Sequence, residues 1–224
     1  MPCQFEREDK TPEPCTSAET IILKSLSGKE FLVHARPVAH LSGYFRTALN
    51  SAFLEATTRE FHLTEHCNDE ILGVFANWTY LRSSGAGYDV EDISFLMNLS
   101  PKNQVIAWLF GDYIRAPAFQ NDIMRRMLLV DSGYFGGSIL QDLGPMIPEE
   151  SCLEKFIVDR FCCQIMQCPT KIGVRTDSLT ANLARKVSKK LFLVILDHQD
   201  PRGAFFGSYS WVASSSGGYE VKEE

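Results

Sequence analysis

The chain is predicted to take an α+β fold: a short three-stranded sheet with helical hairpins, continued by a C-terminal helical extension. Three observations predict it. Every β-type run lies before residue 64. From residue 68 onward, apolar residues recur at three- and four-residue steps, the period of a helix with one buried face. The Gly- and Pro-containing stretches fall between these segments, where turns and helix starts are needed.

The elements follow in order. Residues 1–19 carry five acids, two bases and little apolar content, and are expected to be a flexible acidic tail. Ile21-Ile22-Leu23-Lys24-Ser25-Leu26 reads as a strand, Ser27-Gly28-Lys29 as a tight turn and Phe31-Leu32-Val33-His34 as the returning strand. Pro37 can open a helix in its first turn, and Val38, Leu41, Phe45 and Leu49 give that helix a buried face. Gly43 is expected to split it in two. Phe61-His62-Leu63 reads as a third strand. Asn68 or Asp69 can then cap a helix carrying Ile71, Leu72, Phe75 and Trp78.

Residues 83–101 are expected to be a loop, an insertion with at most a helical turn. Val105, Ile106, Leu109, Phe110 and Tyr113 form the next stripe, and Pro117 can start a helix carrying Phe119, Ile123 and Met127. Gly133 to Pro148 reads as a connection. Ser151 can cap a helix with Leu153, Phe156, Ile157, Phe161 and Ile165. Asp177 can cap a last one with Leu179, Leu183, Val187, Leu191 and Val194. From about residue 198 to 224 a flexible tail rich in Gly, Ser and aromatics is expected. The domain division is therefore 1–19, 20–130, 131–197 and 198–224.

Charge and composition bound the function. With 22 basic and 28 acidic residues the net charge is −6, which argues against a general polyanion binder. The first ten residues lack the apolar core of a secretory signal, and no apolar run approaches a membrane span. Seven cysteines without an export signal point to reduced thiols in the cytoplasm or nucleus.

Several segments, taken together, carry a resemblance. They are Phe31-Leu32-Val33-His34, Leu41-Ser42-Gly43-Tyr44-Phe45, Phe53-Leu54-Glu55, Phe61-His62-Leu63, Phe75-Ala76-Asn77-Trp78-Thr79-Tyr80-Leu81, Ala107-Trp108-Leu109-Phe110-Gly111-Asp112-Tyr113-Ile114 and Phe119-Gln120-Asn121. In order and spacing, residues 20–129 resemble the BTB/POZ family, in the form abundant in filamentous fungi. Ser151 to Asp159 is similar to a segment that often follows the domain there. The resemblance implies a BTB/POZ domain at 20–130 whose work is protein–protein interaction, as an adaptor or scaffold, and no enzymatic activity. It also implies a possible homo- or hetero-dimer.

Members that recruit corepressors carry an Asp before the first strand and a Lys or Arg directly after the histidine. Here Glu19 or Thr20 and Ala35 stand at those positions, and Arg36 comes one residue late. This counts against corepressor recruitment. Little of the apolar N-terminal helix used for dimer exchange is present, which counts against a strand-swapped homodimer.

The same resemblance makes Phe53, Leu54 and Glu55 the candidate partner-binding residues. They match the apolar-x-Glu element that BTB adaptors present to the cullin scaffold of ubiquitin ligases. An aromatic anchor fills a pocket while the neighbouring carboxylate fixes orientation. The plainer alternative is that Phe53 packs under the next strand and Glu55 is solvated. The other readings are an oligomerisation module, or a nucleic-acid-associated transcriptional regulator using Arg185, Lys186, Lys189 and Lys190. A solvated helix face is the simpler explanation of those four.

No metal, cofactor or catalytic residue is assigned. Cys152, Cys162, Cys163 and Cys168 lack paired metal-ligand spacing and are read as buried thiols. His62, His66 and Cys67 could meet a metal only if the chain turned back at Thr64. His34 and His40 are read as structural. Gly85-Ala86-Gly87 lacks the strand and helix context of a phosphate cradle, and Ser42-Gly43 is not a nucleophile elbow. Glu149-Glu150 sits at a helix start, where the dipole explains it. The aromatic segment Phe205 to Trp211 reads either as a docking peptide or as a strip that folds back.

Overall fold

The computed structural model describes residues 19–51, 54–63, 67–84, 98–129, 137–167, 179–197 and 221. The expected tails up to residue 18 and over 198–220, with the aromatic segment, and most of the expected 83–101 loop lie outside these.

The fold is α+β, with one small sheet and a preponderance of helix. Strands β1 (Thr20–Lys24) and β2 (Glu30–His34) pair antiparallel, from Thr20 opposite His34 to Lys24 opposite Glu30. The connecting turn places Gly28 at φ 83°, where a side chain would be strained. Helices α1 (Ala35–Leu41), α2 (Gly43–Leu49) and α3 (Leu54–Thr58) then carry the chain across to β3 (Glu60–His62). β3 pairs parallel with β1, giving the order β2-β1-β3. Lys24, on the central strand, reaches Glu60 at 2.7 Å and Glu30 at 3.2 Å and so touches all three strands.

The break between α1 and α2 falls one residue before the expected one. Ser42 is extended, at φ −134° and ψ 123°, and its hydroxyl accepts the N–H of Phe45, while Gly43 is the first residue of α2. A serine that caps a helix interrupts it as effectively as a glycine. Helix α3 was not expected. Five residues make too little periodic pattern to read.

Helices α4 (Asp69–Ser83), α5 (Pro101–Tyr113) and α6 (Pro117–Leu129) form the body behind the sheet. Asn68 caps α4, accepting from Ile71 N at 3.0 Å, and Ser100 caps α5, accepting from Asn103 N at 3.2 Å. α5 and α6 approach closely at Gly111, where a β-carbon would meet Gln120 Cγ at 2.8 Å. An alanine there would force the pair apart.

The core of this body is aromatic. Phe45, Phe61, Phe75, Trp78, Phe110 and Phe119 are fully buried. Phe75 stands at its centre, 5.5 Å from Phe110, 5.4 Å from Phe119, 5.9 Å from Trp78 and 6.2 Å from Phe45. Edge-to-face and offset arrangements of this kind favour ring contacts beyond simple burial.

The Gly- and Pro-rich connection contains a helix the sequence did not announce, α7 (Gly137–Leu143), running into a 3-10 turn at Gly144–Met146. Helix α8 (Cys152–Gln167) follows. Ser151 caps it as expected, accepting from Glu154 N at 3.1 Å. The final helix, α9 (Ala181–Asp197), starts later than expected. Its N-terminal N–H of Leu183 is met by the Thr180 hydroxyl, and Asp177 lies outside the described residues. The core continues from the sheet body into this extension through Leu153, Phe156, Phe161, Leu183 and Val187.

Candidate functional site

The turn from α5 to α6 sets the geometry of the expected partner-binding region. Arg115 adopts a left-handed conformation, φ 52°, so the chain reverses and Ala116 N donates to Gly111 O at 2.8 Å. The carbonyls this exposes are then taken by the start of α2. Gly43 N donates to Arg115 O at 2.9 Å, Tyr44 N to Ile114 O at 3.1 Å, and the buried Ser42 hydroxyl to Ile114 O at 2.5 Å. Helix-end donors and acceptors left over from two elements satisfy each other. Tyr44 is thereby fixed beside Tyr113, with ring centroids 5.4 Å apart.

Helix α3 brings Glu55 beside the same turn. It ends at Arg59, φ 60°, whose N–H donates to Glu55 O at 2.9 Å. Glu55 lines a cleft of about 590 Å³ with Tyr44, Thr47, Tyr113 and Arg115. Leu54 is 73% exposed at the first turn of α3. Phe53 lies outside the described residues. The Tyr44 phenol is pushed up to about 12, first by burial, then by the neighbouring Tyr113 and Glu55. It stays protonated and able to donate at any physiological pH. An apolar side chain in solvent, a carboxylate and a phenol pair can grip a protein surface.

A second cleft, also of about 590 Å³, adjoins the first at Thr47 and Arg115. Among the described residues, its charged and basic lining is His40, Arg46, Arg82, Arg115 and one acid, Asp112. Sequence reading did not single out these arginines, because they come from three different segments and meet only in the fold.

The remaining candidates are placed as follows. His34 ends β2, with its backbone N–H donating to the Tyr80 hydroxyl at 3.0 Å and its Nδ1 3.0 Å from the same oxygen. Cys162 and Cys163 are buried in α8, and burial raises the Cys162 thiol to about 12. Cys67 is pushed equally far, again first by burial, with its Sγ 3.4 Å from Leu63 O. Such thiols stay protonated and unreactive. His62 is exposed, whereas His66, Cys168 and Gly85-Ala86-Gly87 lie outside the described residues. Among the described residues, no three His, Cys, Asp or Glu side chains gather as a metal site, and no helix is long and apolar enough to cross a membrane.

The basic cluster of α9 is partly engaged within the protein. Lys186 donates to Glu150 at 2.6 Å and to Glu154 at 2.7 Å, and Lys190 pairs with Asp159. These pairs clamp α9 to α8. The Glu150 carboxyl is held below its ordinary value, first by the Lys186 hydrogen bond and then by that charge. The Lys186 ammonium is held above its own, first by the hydrogen bonds to Glu150 and Glu154. A depressed carboxyl gives stability that is complete above the ordinary carboxylate range and lost as pH falls through its lowered value. A raised ammonium gives stability that is complete below the ordinary lysine value and lost as pH rises through its raised one. The thermal midpoint of Lys186→Met is therefore expected to fall less steeply than that of the wild type between about pH 5 and about pH 3. Superimposable pH profiles would show that the clamp adds nothing.

No protein-family model matches the chain, and no curated protein matches it.

Proposed function

We propose that the chain is a docking platform of the BTB/POZ type, an adaptor that presents Phe53, Leu54 and Glu55 to a cullin-type scaffold of a ubiquitin ligase. Two features support the BTB/POZ reading. The hairpin β1–β2 is joined by a parallel β3 after a helical crossover, and most of the described residues that carry the resemblance fall on this sheet and on helices α1 to α6. The observation that carries the docking role is the pairing of a 73% exposed Leu54 with Glu55 at the rim of a cleft. The resemblance makes Phe53 the aromatic anchor beside them, and aromatic residues are enriched at interface cores. A cytoplasmic or nuclear setting follows from that role.

Phe53→Ala combined with Glu55→Ala is expected to weaken capture of a cullin N-terminal fragment by roughly 2 kcal/mol, about 30-fold. A pull-down with variant protein of wild-type thermal midpoint checks this. Undiminished capture would remove the assignment.

A second reading, an oligomerisation module, is favoured by Leu32, 66% exposed on the outer strand β2. Light scattering separates the two. The nucleic-acid reading is weakened by the engagement of Lys186 and Lys190 with acids of α8.

A further inference from the structure

Asn121 in α6 is buried, with 4% of its surface exposed, yet its side chain is spent on a residue 100 positions away. Its Oδ1 accepts the backbone N–H of Val221 at 2.6 Å, and its Nδ2 donates to the Val221 carbonyl at 2.8 Å. The N–H and C=O of one residue point to the same partner only when that residue is extended, so the amide imitates a neighbouring β-strand. The Val221 side chain packs against the main core, and Val221 forms one wall of the cleft lined by Arg46, Arg82, Arg115 and His40. Asp112, the acid in that cleft, accepts from Gln120 Nε2 at 3.3 Å. In sequence, Val221 is flanked by Glu220, Lys222, Glu223 and Glu224.

We propose that Asn121 and the arginine-lined cleft form a peptide-binding site for an extended acidic segment of a partner protein, which Val221 occupies from within the chain. Asn121 reads one residue's main chain, the core surface beneath it takes a β-branched apolar side chain, and the arginines attract the flanking carboxylates. A tethered occupant competes at high effective concentration, so the wild-type chain binds an outside peptide weakly. This site adjoins the cleft of the proposed cullin contact, sharing Thr47 and Arg115 with it, and differs from it in Arg46, Arg82, Asn121 and Val221.

The test uses the full chain and a fluorescent peptide of residues 217–224, followed by anisotropy. Val221→Pro removes the N–H given to Asn121 and weakens the internal occupant. This variant is expected to bind the peptide at least roughly tenfold more tightly than the wild type. Added salt is expected to weaken that binding. A peptide N-methylated at its valine, and one with lysines in place of its glutamates, are expected to lose it, and neither control alters the protein's folding. Adding Asn121→Asp, checked for a wild-type circular dichroism spectrum, should also abolish it. The proposal is overturned if Val221→Pro takes up no peptide, or if either altered peptide binds as well as the original. Cullin capture is measured separately on the same proteins, so either idea can fail alone.

Discussion

Trp78→Ala is expected to cost about 5 kcal/mol and to leave little folded protein under native conditions. The indole is fully buried, 5.0 Å from Phe119 and 5.9 Å from Phe75, in the middle of the aromatic core. Removing a buried Trp costs roughly 3–5 kcal/mol in transfer and cavity terms. The substitution also strips Asp122 of a partner, because Trp78 Nε1 donates to Asp122 Oδ2 at 2.8 Å. That carboxylate is only 2% exposed; it keeps Arg125 at 3.1 Å on Oδ1, but loss of the donor to Oδ2 adds about 1–3 kcal/mol. Domains of this size are stable by about 5–15 kcal/mol, so the loss is comparable to the whole. Trp78→Phe keeps most of the ring and forfeits the hydrogen bond, and is expected to cost roughly 1–3 kcal/mol. Urea denaturation of both variants checks the pair. An unchanged midpoint for Trp78→Ala would mean that the aromatic core is not the source of stability.

Arg160→Ala is expected to cost about 3 kcal/mol. Arg160 is only 6% exposed, and its guanidinium donates at 3.2 Å to both Met127 O and Leu128 O. Those carbonyls belong to the last turn of α6, where the helix itself supplies no donor. The side chain also lies over Phe156, 5.5 Å from its centroid. It therefore answers the exposed end of α6 with charge and hydrogen bonds at once. Arg160→Lys keeps the charge but is shorter and lacks the flat guanidinium that lies over Phe156 while one nitrogen, Nη2, donates to both carbonyls, and is expected to recover less than half of the loss. Equal stability of Arg160→Ala and wild type in urea would show that α8 docks by apolar contact alone.

The sequence carried the fold further than it carried the sites. Periodicity and caps located the strands and most helices, because Asn68, Pro117 and Ser151 act on the residues beside them. What it missed is either very short or depends on distant partners. Helix α3 has five residues. Thr180 rather than Asp177 begins α9, and both are acceptable caps by type. In α8, no sequence pattern marks Arg160, whose partners on α6 draw it into the core. Glu55 is singled out only by the family resemblance. The arginine cleft and the Asn121–Val221 pair are not singled out at all, since no local pattern links positions 100 residues apart.

The parallel union of β1 and β3 has its own consequence. Ile22 N donates to Arg59 O and Leu63 N to Lys24 O, at 2.8 and 2.9 Å. Both bonds close a long loop through α1, α2 and α3, and that closure carries an entropic cost which only the assembled helices offset. Deuterium uptake at these two amides is thus a sensitive gauge of the whole crossover, whereas amides shared by β1 and β2 sample only a local hairpin.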